Sequence, residues 1–208
     1  MQIIEPCAMH NPNMNRESRK RAICVFCGSS MGVEPIFAEA ACETGRLIAH
    51  HGYDMVFGGG GIGLMGETAR SARDAGAKVT GILPEFLRHL EPPLDSGEIV
   101  EIVPDMGARK RRMLALSDAF LILPGGIGTL DEFFEVIVEK QLGQLAKPIV
   151  LLNLNRCYDP LIALLNHTAG LEFVRPDLEK LFRVATSPDQ AFAYLKRALD
   201  SKSVPSRG

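Results

Sequence analysis

Two glycine-rich segments occupy equivalent places in the chain, each between a short apolar run and a stretch with helical spacing. Residues 53–57 lead into Gly58-Gly-Gly-Gly-Ile-Gly63, and residues 119–123 lead into Pro124-Gly-Gly-Ile-Gly128. A short apolar run is typical of a buried strand, and glycine permits the tight turn between a strand and a helix. Both segments therefore predict strand–loop–helix units of an α/β protein.

The remainder of the chain continues this alternation. Strands are predicted at 22–26, 53–57, 78–83, 98–103, 119–123, 148–152 and 182–185, and helices at 35–51, 64–75, 108–117, 129–142, 160–169 and 189–199. The run 98–103 alternates charged and apolar residues, so it is expected at or near a sheet edge. Short connections predict a doubly wound, mostly parallel, Rossmann-like sheet with helices on both faces. Ligands of such sheets bind beyond the carboxyl ends of the strands.

The length of 208 residues fits one domain, expected over 21–200. Residues 1–20 and 201–208 are polar and are expected to be flexible tails. The first segment lacks the apolar stretch of a signal peptide, and no apolar run approaches the ~20 residues of a membrane span. The five cysteines are irregularly spaced, which does not suggest a disulfide framework. A protein of the reducing cytoplasm, away from membranes, is expected.

Charge and composition argue against a nucleic-acid polymer as partner. The chain has 23 basic and 25 acidic residues, a net charge of −2, no Trp and only 6% aromatic residues. Polymer binders usually carry a basic face or stacking aromatics. Cys24 and Cys27 form a C-x-x-C, which suits either a redox or metal pair or ordinary packing. Side chains three apart on a strand point to opposite faces and a second metal pair is missing, so packing is favoured and no metal is expected.

The first glycine segment satisfies G-x-G-x-x-G over Gly61–Gly66. Its glycines and the following helix N-terminus suit a phosphate. A dinucleotide site also requires an acid about 20 residues further on, for which Glu85 is the candidate. An NAD-dependent oxidoreductase is therefore one hypothesis, and a tight turn without a ligand is another.

The second glycine segment ends in Thr129-Leu-Asp-Glu132. Neither glycine segment has the Gly-Lys-Ser/Thr of a Walker loop, which argues against triphosphate hydrolysis. Thr129 and Glu132 match a T-x-x-E capping box, a purely structural interpretation. The functional alternative places the Glu132 carboxylate in the first helical turn, facing a ligand. Upstream, the basic run Arg109–Arg112 opens a helix, and only part of it can face a phosphate, because Arg109 and Arg112 share one side.

These segments together resemble the LONELY GUY family, nucleotide phosphoribohydrolases that activate cytokinins and were long labelled possible lysine decarboxylases. The resemblance spans about 21–199. Its most specific part is P-G-G-x-G-T-x-x-E over Pro124–Glu132. The other matching segments are Cys24–Ser30, Gly58–Gly60, Gly63–Gly66, Met106 with Arg109, Lys110 and Met113, Asp118–Phe120, Gln141–Gly143, Lys147-Pro148 and Leu151–Asn153.

The resemblance implies a Rossmann-like homodimer with its site near the subunit interface. The implied reaction hydrolyses the N-glycosidic bond of N6-substituted adenosine 5'-monophosphates to free base and ribose 5-phosphate, without cofactor or metal. The implied catalytic residues are Arg109 and Glu132. The implied substrate contacts are Ser29, Gly59, Gly60, Gly63, Glu91, Met106, Lys110, Gly125, Gly126, Ile127, Gly128 and Thr129.

Two departures from the family leave the catalytic pair intact and concern base recognition or packing. Gly107 stands where members commonly carry His, and the chain lacks the Trp that members commonly carry before Gln141. AMP is therefore expected as a substrate beside cytokinin nucleotides. A non-catalytic nucleotide or cofactor carrier is the alternative function. Nothing in the sequence suggests the lysine of a pyridoxal-phosphate site, so decarboxylation is not expected.

Overall fold

The fold is that of a computed structural model, which describes residues 2–4, 19–90, 92–94, 98–174 and 178–201. Within these ranges the strands are Gln2–Ile4 (β1), Ala22–Phe26 (β2), Asp54–Phe57 (β3), Val79–Pro84 (β4), Ile99–Val103 (β5), Ala119–Ile122 (β6), Ile149–Leu152 (β7) and Arg183–Ala185 (β8). The α-helices are Pro35–His50 (α1), Gly63–Asp74 (α2), Met106–Leu116 (α3), Ile127–Gln141 (α4), Asp159–Gly170 (α5), Leu178–Leu181 (α6) and Pro188–Asp200 (α7).

The strands form one parallel sheet in the order β1-β5-β4-β3-β2-β6-β7-β8. From β2 the chain adds β3, β4 and β5 on one side, then crosses back to add β6, β7 and β8 on the other. The direction of winding changes between β2 and β6, and the carboxyl ends of these strands flank the crevice where doubly wound proteins bind ligands. The predicted fold class is confirmed.

Helices cover both faces because the central strands are apolar on both sides. In β2, Ile23 and Val25 pack with α1, α2 and α7, whereas Cys24 and Phe26 pack with α3, α4 and α5. Cys27 packs on the first of these faces, opposite Cys24. The C-x-x-C pair is therefore divided between the two layers, as the two-residue period of a strand predicted.

Each predicted strand and helix has a counterpart in the structure, whereas β1 and α6 were not predicted. β1 lies within 1–20, and most of that segment is outside the described residues, as are residues 202–208. The prediction of tails therefore stays a prediction. β5 lies between β4 and β1, next to the edge of the sheet, as its alternating pattern indicated. None of the helices in the described ranges has the length and apolar character of a membrane span.

Candidate active site

A cavity of about 390 Å³ opens at the carboxyl edge of the sheet, beside the crevice between β2 and β6. Loops after β2, β3, β4 and β6 and the first turns of α3 and α4 enclose it. Its lining residues are Val25, Cys27, Gly28, Ser29, Gly58, Met65, Phe86, Leu87, Met106, Arg109, Gly126, Ile127, Gly128, Thr129, Asp131 and Glu132. The predicted catalytic pair and most of the second glycine segment therefore meet in one place.

Arg109 and Glu132 form a buried pair of opposite charges inside this cavity. The Arg109 Nη2 lies 3.9 Å from the Glu132 Oε1, and the two side chains are 7% and 11% exposed. Burial of either charge alone would be costly, so the two charges depend on each other. The separation is too long for a hydrogen bond. Among the described residues the Arg109 Nε has no hydrogen-bond partner, so the guanidinium keeps donor capacity for a ligand.

Gly58 provides the surface on which the Arg109 guanidinium lies. A Cβ at position 58 would come within 1.8 Å of the Arg109 Nη2, so a side chain there would displace the guanidinium from the cavity. Asp105, whose carboxylate accepts a hydrogen bond from the Ala108 amide at 2.7 Å, begins α3 one turn earlier. The helix cap and the glycine together fix the direction in which Arg109 points.

The first turn of α4 presents open backbone to the cavity. The Leu130 amide donates to the Gly126 carbonyl in the first hydrogen bond of the helix, so the amides of Ile127, Gly128 and Thr129 have no acceptor within it. An added Cβ at Gly126 or Gly128 would meet no atom within 4 Å. Exposed amides and the helix dipole make this end of α4 suited to an anion.

The predicted capping box of α4 is wrong. The helix begins at Ile127, two residues before the predicted start, with Gly126 at the N-cap and no side-chain cap. Thr129 is thus already inside the first turn, where its buried side chain lies over Gly125. The backbone of the Gly126–Gly128 segment enters the helix directly, which releases Glu132 from the capping role and leaves its carboxylate in the cavity.

The first glycine segment contributes little to the cavity beyond Gly58. Gly59 packs against β4, Gly61 against the backbone of 92–94, and Gly63 against the backbone of Ser29. Gly59, Gly60 and Gly63, expected as substrate contacts, do not line the cavity. In this segment glycine chiefly permits close packing of backbones.

Lys110, also expected to contact the nucleotide, does not line the cavity. Its Nζ lies 2.5 Å from the Glu135 Oε2 and 3.2 Å from the Asp131 Oδ2, both on α4. Arg112 instead donates to the Glu101 carboxylate of β5 at 2.8 and 2.9 Å. The basic run is thus divided among three places, with Arg109 alone of these three lining the cavity.

A second cavity of about 430 Å³ adjoins the first, with Gly28, Ser29 and Gly126 between the two. Gly125, predicted as a substrate contact, lines this second cavity together with Phe37, Leu64, Cys157 and Tyr158. No charged side chain belongs to its described lining. The charged chemistry of the region is therefore confined to the first cavity.

The sequence interpretation missed several lining residues, among them Cys27, Phe86 and Asp131. Phe86 directly follows β4, so the rule that parallel strands end at one edge could have identified it. Burial, together with the nearby negative charge of Glu132, raises the pKa of the Cys27 thiol above its ordinary value, which keeps the thiol neutral and a poor nucleophile. The described residues contain no cluster suited to a metal ion.

Two predicted acids are not part of the described cavity. Glu91 lies outside the described residues. Glu85, the residue that a dinucleotide site would require, is exposed, forms an ion pair with Arg88 at 3.1 Å and does not line the cavity. The structure therefore offers no support for the oxidoreductase hypothesis.

Comparison with known proteins agrees with this geometry. Residues 65–195 match a family model described as "possible lysine decarboxylase". A probable cytokinin riboside 5'-monophosphate phosphoribohydrolase of Oryza sativa subsp. japonica is 39% identical over 86% of this chain and 74% of its own length. A cytokinin riboside 5'-monophosphate phosphoribohydrolase of the same plant is 40% identical over 80% of this chain and 69% of its own length.

Among solved structures, a molybdenum cofactor binding protein of Rippkaea orientalis superposes with a TM-score of 0.66. It is 26% identical and the match covers 86% of this chain and 98% of that protein. The family model matches more than half of the chain, and the plant relatives match most of it at about 40% identity. The chain therefore belongs to the LONELY GUY family of cytokinin riboside 5'-monophosphate phosphoribohydrolases.

Proposed function

We propose that this chain hydrolyses the N-glycosidic bond of adenosine 5'-monophosphates, both N6-substituted cytokinin nucleotides and AMP itself, to free base and ribose 5-phosphate. The buried Arg109–Glu132 pair beside the open first turn of α4 is the observation that supports this proposal. A cavity of about 390 Å³ is of a size that suits a mononucleotide.

The 5'-phosphate has one well-suited place, the amides of Ile127, Gly128 and Thr129 at the start of α4. Glu132 follows one turn later, so a ribose attached to that phosphate would lie against its carboxylate. Glycosidic cleavage passes through an oxocarbenium-like state. Glu132 can stabilise the positive charge of that state, or orient and deprotonate the attacking water.

Arg109 has two chemically sensible roles within the same proposal. Its guanidinium can hold the phosphate, or it can donate a hydrogen bond to the departing purine, which carries negative charge as the bond breaks. Either role is open to Arg109, because its Nε has no hydrogen-bond partner among the described residues and its Nη2 lies 3.9 Å from the Glu132 Oε1. None of the described lining residues is Lys, which gives no support to decarboxylation through a lysine-bound cofactor.

A non-catalytic carrier is the second candidate, and similarity to a molybdenum cofactor binding protein favours it. A carrier requires binding groups but no reactive pair. A buried carboxylate beside a buried guanidinium is an expensive arrangement for binding alone. Hydrolysis therefore explains the pair better than transport does.

We further propose that the chain is a cytoplasmic protein that forms a homodimer. The contact between the two copies would be made by α4. Ile127, Phe134, Val138 and Leu142 are exposed apolar residues that recur along one side of this helix. This stripe starts at the cavity, so a second copy covering it would lie next to the site. Light scattering coupled to size exclusion should give a dimer mass, and Val138→Asp should lower it. A monomeric wild type would contradict the proposal.

Incubation with AMP and with isopentenyladenosine monophosphate, followed by chromatography, tests the proposed reaction. Base and ribose 5-phosphate should appear in equal amounts, since water supplies the hydroxyl at C1 of the ribose and the proton on the released base. Tight binding without release of base from either nucleotide would favour the carrier and contradict hydrolysis. Binding of NAD with hydride transfer would instead favour the oxidoreductase.

A further inference from the structure

Beside the Arg109–Glu132 pair, a second set of charges joins α3 to α4. The Lys110 Nζ lies between two carboxylates one helical turn apart, 2.5 Å from the Glu135 Oε2 and 3.2 Å from the Asp131 Oδ2. The Lys110 and Glu135 side chains are 21% and 25% exposed, whereas Asp131 is 55% exposed. Lys110–Glu135 is therefore the more sheltered contact of the two.

The order of residues along the helices links this contact to the catalytic pair. Lys110 directly follows Arg109 on α3, and Asp131 directly precedes Glu132 on α4. The Lys110 ammonium donates toward the Glu135 carboxylate, and this contact raises the pKa of Lys110 above its ordinary value, so the lysine stays charged throughout the neutral range. A charged contact thus fixes the two helices to each other next to the reacting groups.

The separation within the catalytic pair depends on the placement of α3 and α4. A separation of 3.9 Å between the Arg109 Nη2 and the Glu132 Oε1 leaves no direct hydrogen bond between these atoms. Each residue stands on a different helix, so a shift of α3 relative to α4 would change their separation directly. Gly58 leaves room for the guanidinium, and the Met106 Sδ lies 3.8 Å from its Nη1, but both contacts lie on the α3 side of the pair and neither comes from α4.

We propose that Lys110 and Glu135 are positioning residues, which set the register of α3 against α4 and thereby the separation of Arg109 and Glu132. This inference rests on the proposed function for its kinetic consequences. Lys110 acts through its neighbour and does not touch the substrate, in keeping with its absence from the described cavity lining. Glu135 acquires a role that the sequence did not predict.

Kinetics of single variants distinguish positioning from substrate binding. Lys110→Met and Glu135→Gln should each lower kcat about 10- to 100-fold, the loss that an ångström-scale misplacement produces, with KM nearly unchanged. Lys110→Arg should retain most of the activity, because it keeps the charge. Arg46→Met, which removes an ion pair to Glu43 within α1, is the matched control and should behave like wild type. A rise in KM for Lys110→Met, with Glu135→Gln fully active, would show that Lys110 binds substrate and overturn the inference.

Exchange of the two charges tests the contact itself. The double variant with Lys110→Glu and Glu135→Lys should have a kcat about tenfold higher than the less active of the two corresponding single variants. The reason is that the effects of substitutions at residues in direct contact are not additive. Recovery will be incomplete because Asp131 would face a like charge. A double variant no better than either single one would contradict the inference.

Chemical modification of Arg109 provides a readout that does not require turnover. The buried guanidinium should react slowly with phenylglyoxal in the wild type, and the modified site can be mapped by mass spectrometry. Glu135→Gln should increase the modification of Arg109 several-fold, and the charge exchange should reverse that increase. If the wild type releases no base, the proposed function fails. The positioning role is refuted by a different result, namely Arg109 reactivity that is unchanged in both Lys110→Met and Glu135→Gln.

Discussion

The two glycine-rich segments look alike in sequence and perform different tasks in the structure. The segment after β3, residues 58–63, is packed: Gly59, Gly61 and Gly63 each face another part of the backbone or side chains at close range. The segment after β6 is packed at Gly125 but open beside Gly126 and Gly128, where an added Cβ would meet free space. The comparison teaches that glycine can serve either close packing or ligand access, and that only tertiary contacts distinguish them.

The packed segment should respond to substitution with loss of stability. At Gly63 the backbone has φ +60° and an added Cβ would come within 2.2 Å of the Ser29 carbonyl carbon. Gly63→Ala should therefore lower the free energy of unfolding by about 3–5 kcal/mol, measured by urea denaturation.

Gly76→Ala separates the clash from backbone strain, because Gly76 also has a positive φ but faces open space. It should cost only about 1–2 kcal/mol. Equal losses at the two positions would show that close packing is not what the segment after β3 requires.

The open segment should respond with loss of ligand binding instead. Gly126 has a φ of −93°, outside the left-handed region that favours glycine, so Gly126→Ala should change stability by no more than about 0.5–1 kcal/mol. A methyl group beside the α4 amides should weaken AMP binding about tenfold, equivalent to about 1.4 kcal/mol, measured by calorimetry in a Glu132→Gln background in which AMP is not consumed. Gly170→Ala, also in open space but away from the cavity, should bind normally.

The contribution to stability of residues 92–94, which pack on the segment after β3, should depend on pH because the Glu98 carboxylate holds them. Its carboxylate accepts a hydrogen bond from the Leu94 amide at 2.6 Å, and residues 92–94 pack on Gly61. Burial raises the pKa of Glu98 from its ordinary 4.5 to about 7, with the Leu94 amide and the charge of Arg73 acting in the opposite direction.

Because the folded pKa exceeds the unfolded one, Glu98 favours folding below pH 4.5 and that contribution is lost as the pH rises to about 7. Glu98→Gln should remove this dependence and stabilise the protein at pH 8 by on the order of 2 kcal/mol relative to wild type. Parallel stability curves for the two proteins between pH 4.5 and 8 would refute the assignment.

The smallest effect is expected within the open segment itself. Gly128 is in the first turn of α4, an added Cβ meets no atom within 4 Å, and alanine is the better helix former. Gly128→Ala should raise the free energy of unfolding by about 0.5–1 kcal/mol in urea denaturation. A loss of stability would mean that this turn is more crowded than the structure shows.

The order of strands and helices could be predicted from sequence because each element carries its own periodicity. α6 is a single turn, too short for a helical pattern to indicate, and β1 lies within the polar segment 1–20 that was expected to be a tail. Arg109 and Glu132 could be assigned by resemblance, and the parallel topology brings them to one edge. The contact between Lys110 and Glu135 could not be foreseen, because it depends on how the consecutive helices α3 and α4 lie against each other on either side of β6.

The capping box failed for a related reason. T-x-x-E is a local pattern, and it predicts a helix start at Thr129 when nothing else competes. Gly126 and Gly128 allow the backbone to enter the helix two residues earlier, with Thr129 folded over Gly125. The T-x-x-E pattern indicated a helix start at Thr129, whereas the backbone freedom of the two glycines allowed the earlier start that the structure shows.

Release of base by Glu132→Gln is the most direct test of the claim that the cavity is a hydrolytic site. With isopentenyladenosine monophosphate, the variant should release base about 100- to 10,000-fold more slowly than wild type. It should bind the nucleotide with nearly unchanged affinity, because the α4 amides remain and Gln has the same shape as Glu. Base release at the wild-type rate, from a variant that folds and binds normally, would contradict the account.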